Sequence, residues 1–192
     1  MARTKEFDPD EALDRALELF WARGYAATSM ADLVAHLGIA RASLYATFGG
    51  KRDLFLTVLD RYRQERDRAV IEALSAPGPA LPAIRALVQR YTEESTDPQR
   101  RGCLIVNTAV ELAARDPAAA RAVEASWTTL ETALQAALTR ARAQDEIPAG
   151  ADPQALARFL VVLFQGMRTM GRAPTDPARV RAAAHQALAL LA

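Results

Sequence analysis

The sequence predicts an all-α fold. Of its 192 residues, 51% are hydrophobic but only 6% are aromatic, and long runs of Val, Ile and Thr are absent. Alanine and leucine are abundant, and this composition favours helices over strands. Apolar residues also recur at three- and four-residue spacing, the period of an α-helix with one buried face. We expect a small three-helix N-terminal domain followed by a larger helical domain.

The first helix is predicted to begin at Asp8 and to end at Gly24. Asp8 is a suitable N-cap, and Pro9 fits the first helical position. Apolar residues up to Phe20 mark one buried face. Thr28 is a plausible cap for the next helix.

The stretch from Thr28 to Arg52 predicts two short helices joined by a tight turn at Gly38. Glycine suits the left-handed conformation that often ends a helix. The apolar positions are Met30, Leu33, Val34 and Leu37 before the turn, and Leu44 and Phe48 after it. A helix that buries Leu44 and Phe48 must turn Arg41, Ala42, Tyr45 and Ala46 outward. This layout is typical of a helix-turn-helix DNA-binding motif, here at residues 29–48.

Charge gives weaker support for nucleic-acid binding. The net charge is only +1, so the argument depends on where the charges lie. Six of the seven acidic residues in the first 52 positions fall between Glu6 and Glu18, whereas Arg41, Lys51 and Arg52 lie close to the motif. The motif is therefore locally basic within a nearly neutral chain.

Six further helices are predicted beyond the motif. They run from Asp53 to about Leu74, from Leu81 to about Thr96, from Cys103 to Ala114, from Pro117 to about Gln144, from Pro153 to about Met170, and from Pro177 to Leu191. Pro-Gly-Pro at 77–79 and the Asp-Pro pairs at 116–117 and 152–153 mark breaks between them. We place the domain boundary between residues 52 and 53, giving a DNA-binding domain at 1–52 and a regulatory and dimerisation domain at 53–192.

The segment Phe159–Phe164 is apolar on all sides of its helix. One face of such a helix would meet water in a small monomer. We therefore expect a four-helix bundle between two copies, formed with the last helix, rather than a monomer core alone. The predicted interface residues are Phe159, Leu160, Leu163, Met167, Val180, Ala184 and Leu188.

The N-terminal residues resemble the TetR family of bacterial transcriptional repressors. The resemblance covers about fifty residues and is carried by Ala12, Ala16, Phe20, Gly24-Tyr25, Thr28-Ser29-Met30, Asp32-Leu33, Gly38-Ile39, Ser43-Leu44-Tyr45, Phe48-Gly49, Lys51 and Leu54-Phe55. Beyond them only short phrases match, namely 102–107, 111–113, 152–153, 156–157 and Gly166. The resemblance implies a homodimer that binds palindromic double-stranded operator DNA and releases it when a small-molecule effector binds.

The resemblance also implies roles for the motif residues. Thr28, Ser29 and the amide groups that open their helix would meet a phosphate. Tyr45 and Lys51 would hold flanking phosphates, which set affinity rather than sequence preference. The groove-facing positions are Ala40, Arg41, Ala42, Ser43, Ala46 and Thr47. Arg41 is the candidate reader of a guanine edge, with phosphate binding as its alternative. Ala40 and Ala42 depart from the usual small polar cap and glycine, so the operator sequence cannot be inferred from relatives.

A ligand pocket is predicted in the 80–170 region. Its candidate residues are Cys103, Asn107, Trp127, Phe164 and Arg168, which are equally plausible as a core with a few polar ends. Cys103 is either a small core residue or, as in electrophile- and oxidant-sensing members of the family, a sensor. Asn107 and Glu111 share a helix face and are costly to bury unpaired, which indicates a cavity or interface beside them.

Other function classes find little support in the sequence. For an enzyme, the sequence shows neither a nucleophile–base pair nor a phosphate-binding glycine loop. Its two histidines do not form a metal-ligand set. We expect no cofactor and no metal. A helical protein-interaction module without a DNA role remains the alternative. One cysteine and an N-terminus without a signal-peptide pattern favour a cytoplasmic protein that is not membrane-bound.

Overall fold

The structure is a computed structural model that describes residues 7–97, 102–173 and 176–191. These ranges contain nine α-helices and no strand, so the all-α prediction is confirmed. The helices are α1 (Pro9–Arg23), α2 (Met30–Leu37), α3 (Arg41–Phe48), α4 (Lys51–Ser75), α5 (Ala80–Thr96), α6 (Leu104–Glu111), α7 (Pro117–Ala143), α8 (Pro153–Arg172) and α9 (Pro177–Ala189). No helix in these ranges is both long and apolar enough to cross a membrane.

Four helices begin at an Asp-Pro pair. The side chains of Asp8, Asp116, Asp152 and Asp176 each accept a hydrogen bond from a backbone N–H of the first turn, and proline follows at the first helical position. Local sequence therefore determines these helix starts. Some predicted bounds differ from the structure. Helix α4 begins two residues before Asp53, α6 runs from Leu104 to Glu111 rather than from Cys103 to Ala114, and α9 ends at Ala189 rather than Leu191.

Helix α4 joins two hydrophobic cores. Its first half packs with α1, α2, α3 and α6 in one core, where Phe20, Leu33 and Leu44 are fully buried. Its last turns pack with α5, α7, α8 and α9 in the second core, around Leu134 and Phe164. The predicted boundary at 52/53 falls inside α4, and the division at that residue stays a prediction.

The backbones of α5 and α8 approach closely at Gly171. A Cβ atom on Gly171 would lie 2.2 Å from the carbonyl oxygen of Ser95, far inside van der Waals contact. Only glycine allows this approach. It brings the end of α8, including Arg168, against the polar residues of α5.

Candidate functional site

The turn between α2 and α3 has the predicted geometry. Gly38 adopts φ 68° and ψ 26°, the left-handed conformation, and its N–H donates to the carbonyl of Val34 at 3.0 Å. Ile39 then enters the core, and α3 begins at Arg41. Ala40, the N-cap of α3, makes no side-chain cap bond. The first amide groups of α3 are thus left without a side-chain cap.

Helix α3 presents one continuous exposed face. Leu44 is fully buried beneath it, whereas Arg41, Ala42, Tyr45 and Ala46 are exposed. The guanidinium carbon of Arg41 lies 5.8 Å from the centroid of the Tyr45 ring. Ser43 and Thr47 are half-buried at the edges of this face, and exposed Ala40 lies at its start. The structure therefore brings the predicted groove-facing residues together.

The start of α2 corrects one prediction. The cap is Ser29 rather than Thr28: the Ser29 hydroxyl accepts from the Asp32 N–H at 3.1 Å, and the Asp32 carboxylate accepts from the Ser29 N–H at 2.8 Å. The Ser29 hydroxyl and backbone N–H lower the pKa of Asp32. Thr28 is fully buried, and its hydroxyl donates to the carbonyl of Gly24 at 2.7 Å. The Thr28 side chain is therefore used inside the fold, while Ser29 is exposed.

Two basic residues that follow the motif have different partners. The Nζ of Lys51 lies 4.2 Å above the ring of Tyr25. Arg52 instead donates to both carboxylate oxygens of Asp116, at 2.6 and 3.0 Å. This guanidinium lowers the pKa of Asp116 to about 2. Arg52 thus ties the start of α4 to the start of α7.

A second link joins the regulatory helices to the N-terminal domain. Glu111, at the end of α6, accepts from the backbone N–H groups of Tyr25 at 3.0 Å and Ala26 at 2.7 Å. Its carboxylate is therefore paired across an interface, as expected for a polar residue near buried surface. The predicted interface beside Glu111 is the loop between α1 and α2.

The predicted ligand residues divide between three places. Cys103, Trp127 and Arg168 line a cavity of about 30 Å³ between α4, α5, α7 and α8. Asn107 lines a separate groove of about 300 Å³ near Glu111. Phe164 is fully buried and stacks on Tyr91, with ring centroids 4.0 Å apart. The five residues do not meet in one place, because α8 turns Phe164 into the core and α6 turns Asn107 away.

Cys103 is buried within this cavity wall. It is 4% exposed, and the Tyr62 hydroxyl donates to its sulfur at 3.6 Å. Burial opposes ionisation of the thiol, but the guanidinium groups of Arg168 and Arg66 outweigh it and lower the pKa of Cys103. The residue combines the burial of a core cysteine with an electropositive surrounding.

Several cavity residues were missed by the sequence analysis. Arg66 and Asp67 lie in the charged stretch of α4, Tyr91 lies on α5, and Gln165 lies on α8. Charged residues in a helix are usually solvent-exposed. Their separation along the chain gave no signal that they meet.

The predicted dimer face needs a correction. Leu160, Met167, Val180 and Ala184 lie in the core of the single chain, at most 6% exposed, so they have no surface left for a partner. Leu163 and Leu188 are half-buried, and only Phe159 is exposed. The exposed apolar stripe of α8 is instead Phe159, Val162, Leu163 and Met170, with Gly166 between them. A helix that is apolar on every side does not reveal from sequence which side the monomer uses.

Comparison with known proteins gives two family matches. The model described as "Bacterial regulatory proteins, tetR family" matches residues 12–58, and the model described as "Tetracyclin repressor-like, C-terminal domain" matches residues 80–187. The first covers α2, α3 and the turn between them, together with most of α1. The second covers α5 to α8 and most of α9.

Individual relatives agree with these matches. The chain is 45% identical to the uncharacterized HTH-type transcriptional regulator YezE of Bacillus subtilis (strain 168) over 162 residues, 83% of this chain and 84% of the relative. It is 35% identical over 175 residues to the HTH-type transcriptional repressor ComR of Escherichia coli (strain K12), covering 88% and 82% of the two chains. A solved structure of the regulator CifR, a cysteine mutant complexed with 26-bp operator DNA, superposes with a TM-score of 0.85 at 28% identity over the whole of both chains.

Proposed function

Because the chain belongs to the TetR family of bacterial regulatory proteins, we propose that it represses transcription by binding a palindromic operator as a homodimer. A small-molecule effector releases it from the DNA. The observation that carries this proposal is the exposed face of α3, whose only charge is the cation of Arg41. The similar regulator CifR is described as complexed with operator DNA, which supports DNA binding by this chain.

Helix α3 enters the major groove of each half-site. Arg41 reads a guanine edge, and the alanines with Thr47 contact thymine methyl groups. Ser29, Tyr45 and Lys51 bind flanking phosphates. Thr28 is left out of this set, because it is fully buried and donates its hydroxyl to Gly24 and its N–H to the carbonyl of Tyr25. Two-fold symmetry places the half-sites about one turn apart, roughly 34–36 Å.

The dimer forms through the exposed stripe of α8 together with α9. Val162 is 72% exposed, Phe159 40% and Met170 38%, which is unusual for large apolar side chains on one helix face. Burying this stripe against a second copy completes a four-helix bundle. The two reading helices then bind one operator together.

Effector binding changes the position of the N-terminal domain through α4 and α6. Arg52 and Asp116 connect α4 to α7, and Glu111 connects α6 to the loop before α2. A ligand among α4 to α8 that shifts these helices alters the spacing of the two α3 helices. Operator affinity falls because both helices can no longer be seated in the grooves at once.

Fluorescence anisotropy with a duplex from the promoter beside its own gene tests this function. We expect Arg41→Ala to weaken binding by about 1–3 kcal/mol and to relax sequence preference. Lys51→Ala weakens binding to every sequence and reduces the slope of log affinity against log salt by about 1. Arg85→Ala removes the same charge from an exposed site on α5 and leaves binding unchanged.

Binding no tighter than to random DNA, with none of the three variants having any effect, would overturn the proposal. It would favour a helical interaction module instead.

A further inference from the structure

Three arginines in the regulatory domain share one carboxylate. Glu94 accepts from Arg66 at 3.2 Å and from Arg168, and it lies 3.8 Å from the Nε of Arg90. Arg168 is only 4% exposed, whereas Glu94 is 37% exposed at its side chain. A guanidinium stays charged in proteins, and burying a cation without full compensation is costly. This arginine cluster carries two positive charges more than its own carboxylate neutralises.

Another acid at the cavity, Asp67, cancels only part of this excess. Asp67 lines the same cavity, but it is ion-paired with Arg63 at 3.1 Å and accepts from the Ser126 hydroxyl at 3.0 Å. Arg63 in turn also bonds Asp60. Burial raises the pKa of Asp67, which disfavours its charged form. Because one arginine serves two carboxylates, the group of Arg63, Asp60 and Asp67 carries one net negative charge when Asp67 is ionised. The arginine cluster and this group together still keep one positive charge in excess.

Two buried donors at the cavity have no acceptor. The Nε of Arg168 and the Nε1 of Trp127 lack a hydrogen-bond partner among the described residues, although both residues line the cavity. The Arg168 guanidinium also lies 4.2 Å above the Tyr91 ring, which holds it in place. The cavity of about 30 Å³ has room for roughly two water-sized atoms. Two oxygens on one anionic group match this space, these donors and the excess charge.

The cavity lies beside a larger apolar groove. This groove of about 410 Å³ runs between α4 and α7 and is lined by Ile71, Leu74 and Ala133 among others. Thr129 lines both the groove and the cavity. The shared Thr129 makes this groove the neighbouring space for a chain attached to an anionic group in the cavity.

We propose that the effector is an organic carboxylate with a short apolar chain, bound by Arg168 and Arg66 with its chain in the α4–α7 groove. This proposal rests on the proposed function, since it names the ligand class of the same regulator. Arg168 donates through its unpartnered Nε and Trp127 adds a second donor, while Glu94 competes with the ligand for the same guanidinium groups. Ligand binding neutralises charge on α4, α5 and α8 together, which draws these helices towards the ligand.

Isothermal titration calorimetry of the full chain, at constant ionic strength, compares hexanoate with hexanamide. The two probes have the same chain and differ in charge. We expect saturable binding of hexanoate and none of hexanamide, and weaker binding of acetate because it lacks the chain. Equal binding of acid and amide, or equal binding of acetate and hexanoate, would overturn the proposal.

Three variants are expected to change hexanoate affinity in different ways. Arg168→Gln weakens hexanoate binding by at least about tenfold, the cost of losing one charge-assisted hydrogen bond. Glu94→Gln tightens it, because it removes the carboxylate that competes for the same cations. Arg158→Gln, an exposed position on the same helix paired with Glu131, leaves affinity unchanged. Weaker binding in Glu94→Gln, or an equal loss in Arg158→Gln, would show that the cluster is only structural.

Two controls distinguish the carboxylate site from neutralisation by Cys103 and from the proposed DNA-binding function. If the Cys103 thiolate already supplies the missing negative charge, wild type will not bind hexanoate and Cys103→Ser will, which contradicts the proposal. Operator binding is measured without ligand in parallel. If the protein binds hexanoate but no operator, the proposed function is wrong and the carboxylate site is supported. If it binds the operator but no hexanoate, only the carboxylate site is wrong.

Discussion

At the scale of single residues, the helix-turn-helix depends on one backbone conformation. Gly38 lies at φ +68° with no atom of the described residues within 4 Å of where a Cβ would stand. A side chain would therefore meet open space, and only the left-handed backbone penalises it. A substitution at Gly38 therefore measures the cost of the backbone conformation without a contribution from steric clashes.

We expect Gly38→Ala to lower the free energy of unfolding by about 1 kcal/mol, the usual cost of a non-glycine residue in this region. Gly150→Ala is the matched control, since its neighbourhood in the described chain is also open and its φ is not positive. Urea unfolding followed by circular dichroism measures both. A Gly38→Ala protein as stable as wild type would show that the turn relaxes at no cost.

Single positions also show how far sequence reasoning reaches. The turn at Gly38 was predictable because its cause is local: two apolar sets separated by a glycine. The cap of α2 was misplaced by one residue, because Thr28 and Ser29 are both good caps and tertiary packing buries Thr28. The local sequence predicts that a hydroxyl residue caps α2, but tertiary packing determines which of the two residues does so.

At the scale of elements, α4 and α7 are joined at their first turns by Arg52 and Asp116. The Asp116 carboxylate also accepts from the N–H groups of Ala118 and Ala119 at the start of α7. Arg52 first, and these amides after it, hold the pKa of Asp116 at about 2, below the ordinary 3.8. The carboxylate is thus more acidic in the folded protein than in the unfolded chain.

This difference predicts a pH dependence of stability. Between about pH 4 and pH 2 the unfolded chain takes up a proton at Asp116 that the folded protein does not, so acid favours unfolding. The contribution is fully present above the unfolded pKa and is lost as the pH falls through about 2. Asp116→Asn and Arg52→Gln should both make the decline of unfolding free energy across this window shallower. An unaltered slope in both variants would show that the pair does not act in the folded state.

The arginine cluster shows what sequence reasoning about elements cannot supply. Arg66 and Glu94 lie in charged stretches of α4 and α5 that the sequence alone indicates as surface, and they meet Arg168 of α8, which is only 4% exposed. Their meeting depends on the approach of α5 and α8 at Gly171, which is a property of packed backbones. Helix number, starts and breaks follow from local signals, but the cavity that these helices enclose does not.

At the scale of the whole molecule, α4 connects the two hydrophobic cores. An apolar stripe on α8 lies outside both cores and is exposed. The segment Phe159–Phe164 was predicted to need a partner, and the apolar residues that it exposes differ from the predicted ones. Leu160 belongs to the monomer, whereas Phe159 and Val162 face outward. Gly166 lies one turn beyond Val162 on the same stripe, where the absence of a side chain would allow a second helix to approach closely.

A charge placed on this stripe tests the dimer without disturbing the monomer. Val162 is 72% exposed, so Val162→Glu leaves the folded chain intact but buries an unpaired carboxylate if a second copy packs there. Val110→Glu is the matched control, because Val110 on α6 is 79% exposed and lies off this stripe. We expect wild type and Val110→Glu to sediment as dimers at micromolar concentration and Val162→Glu to sediment as a monomer. Operator affinity should fall with the dimer, since one α3 helix alone makes only half of the contacts. A wild-type monomer, or a Val162→Glu dimer, would contradict this assembly.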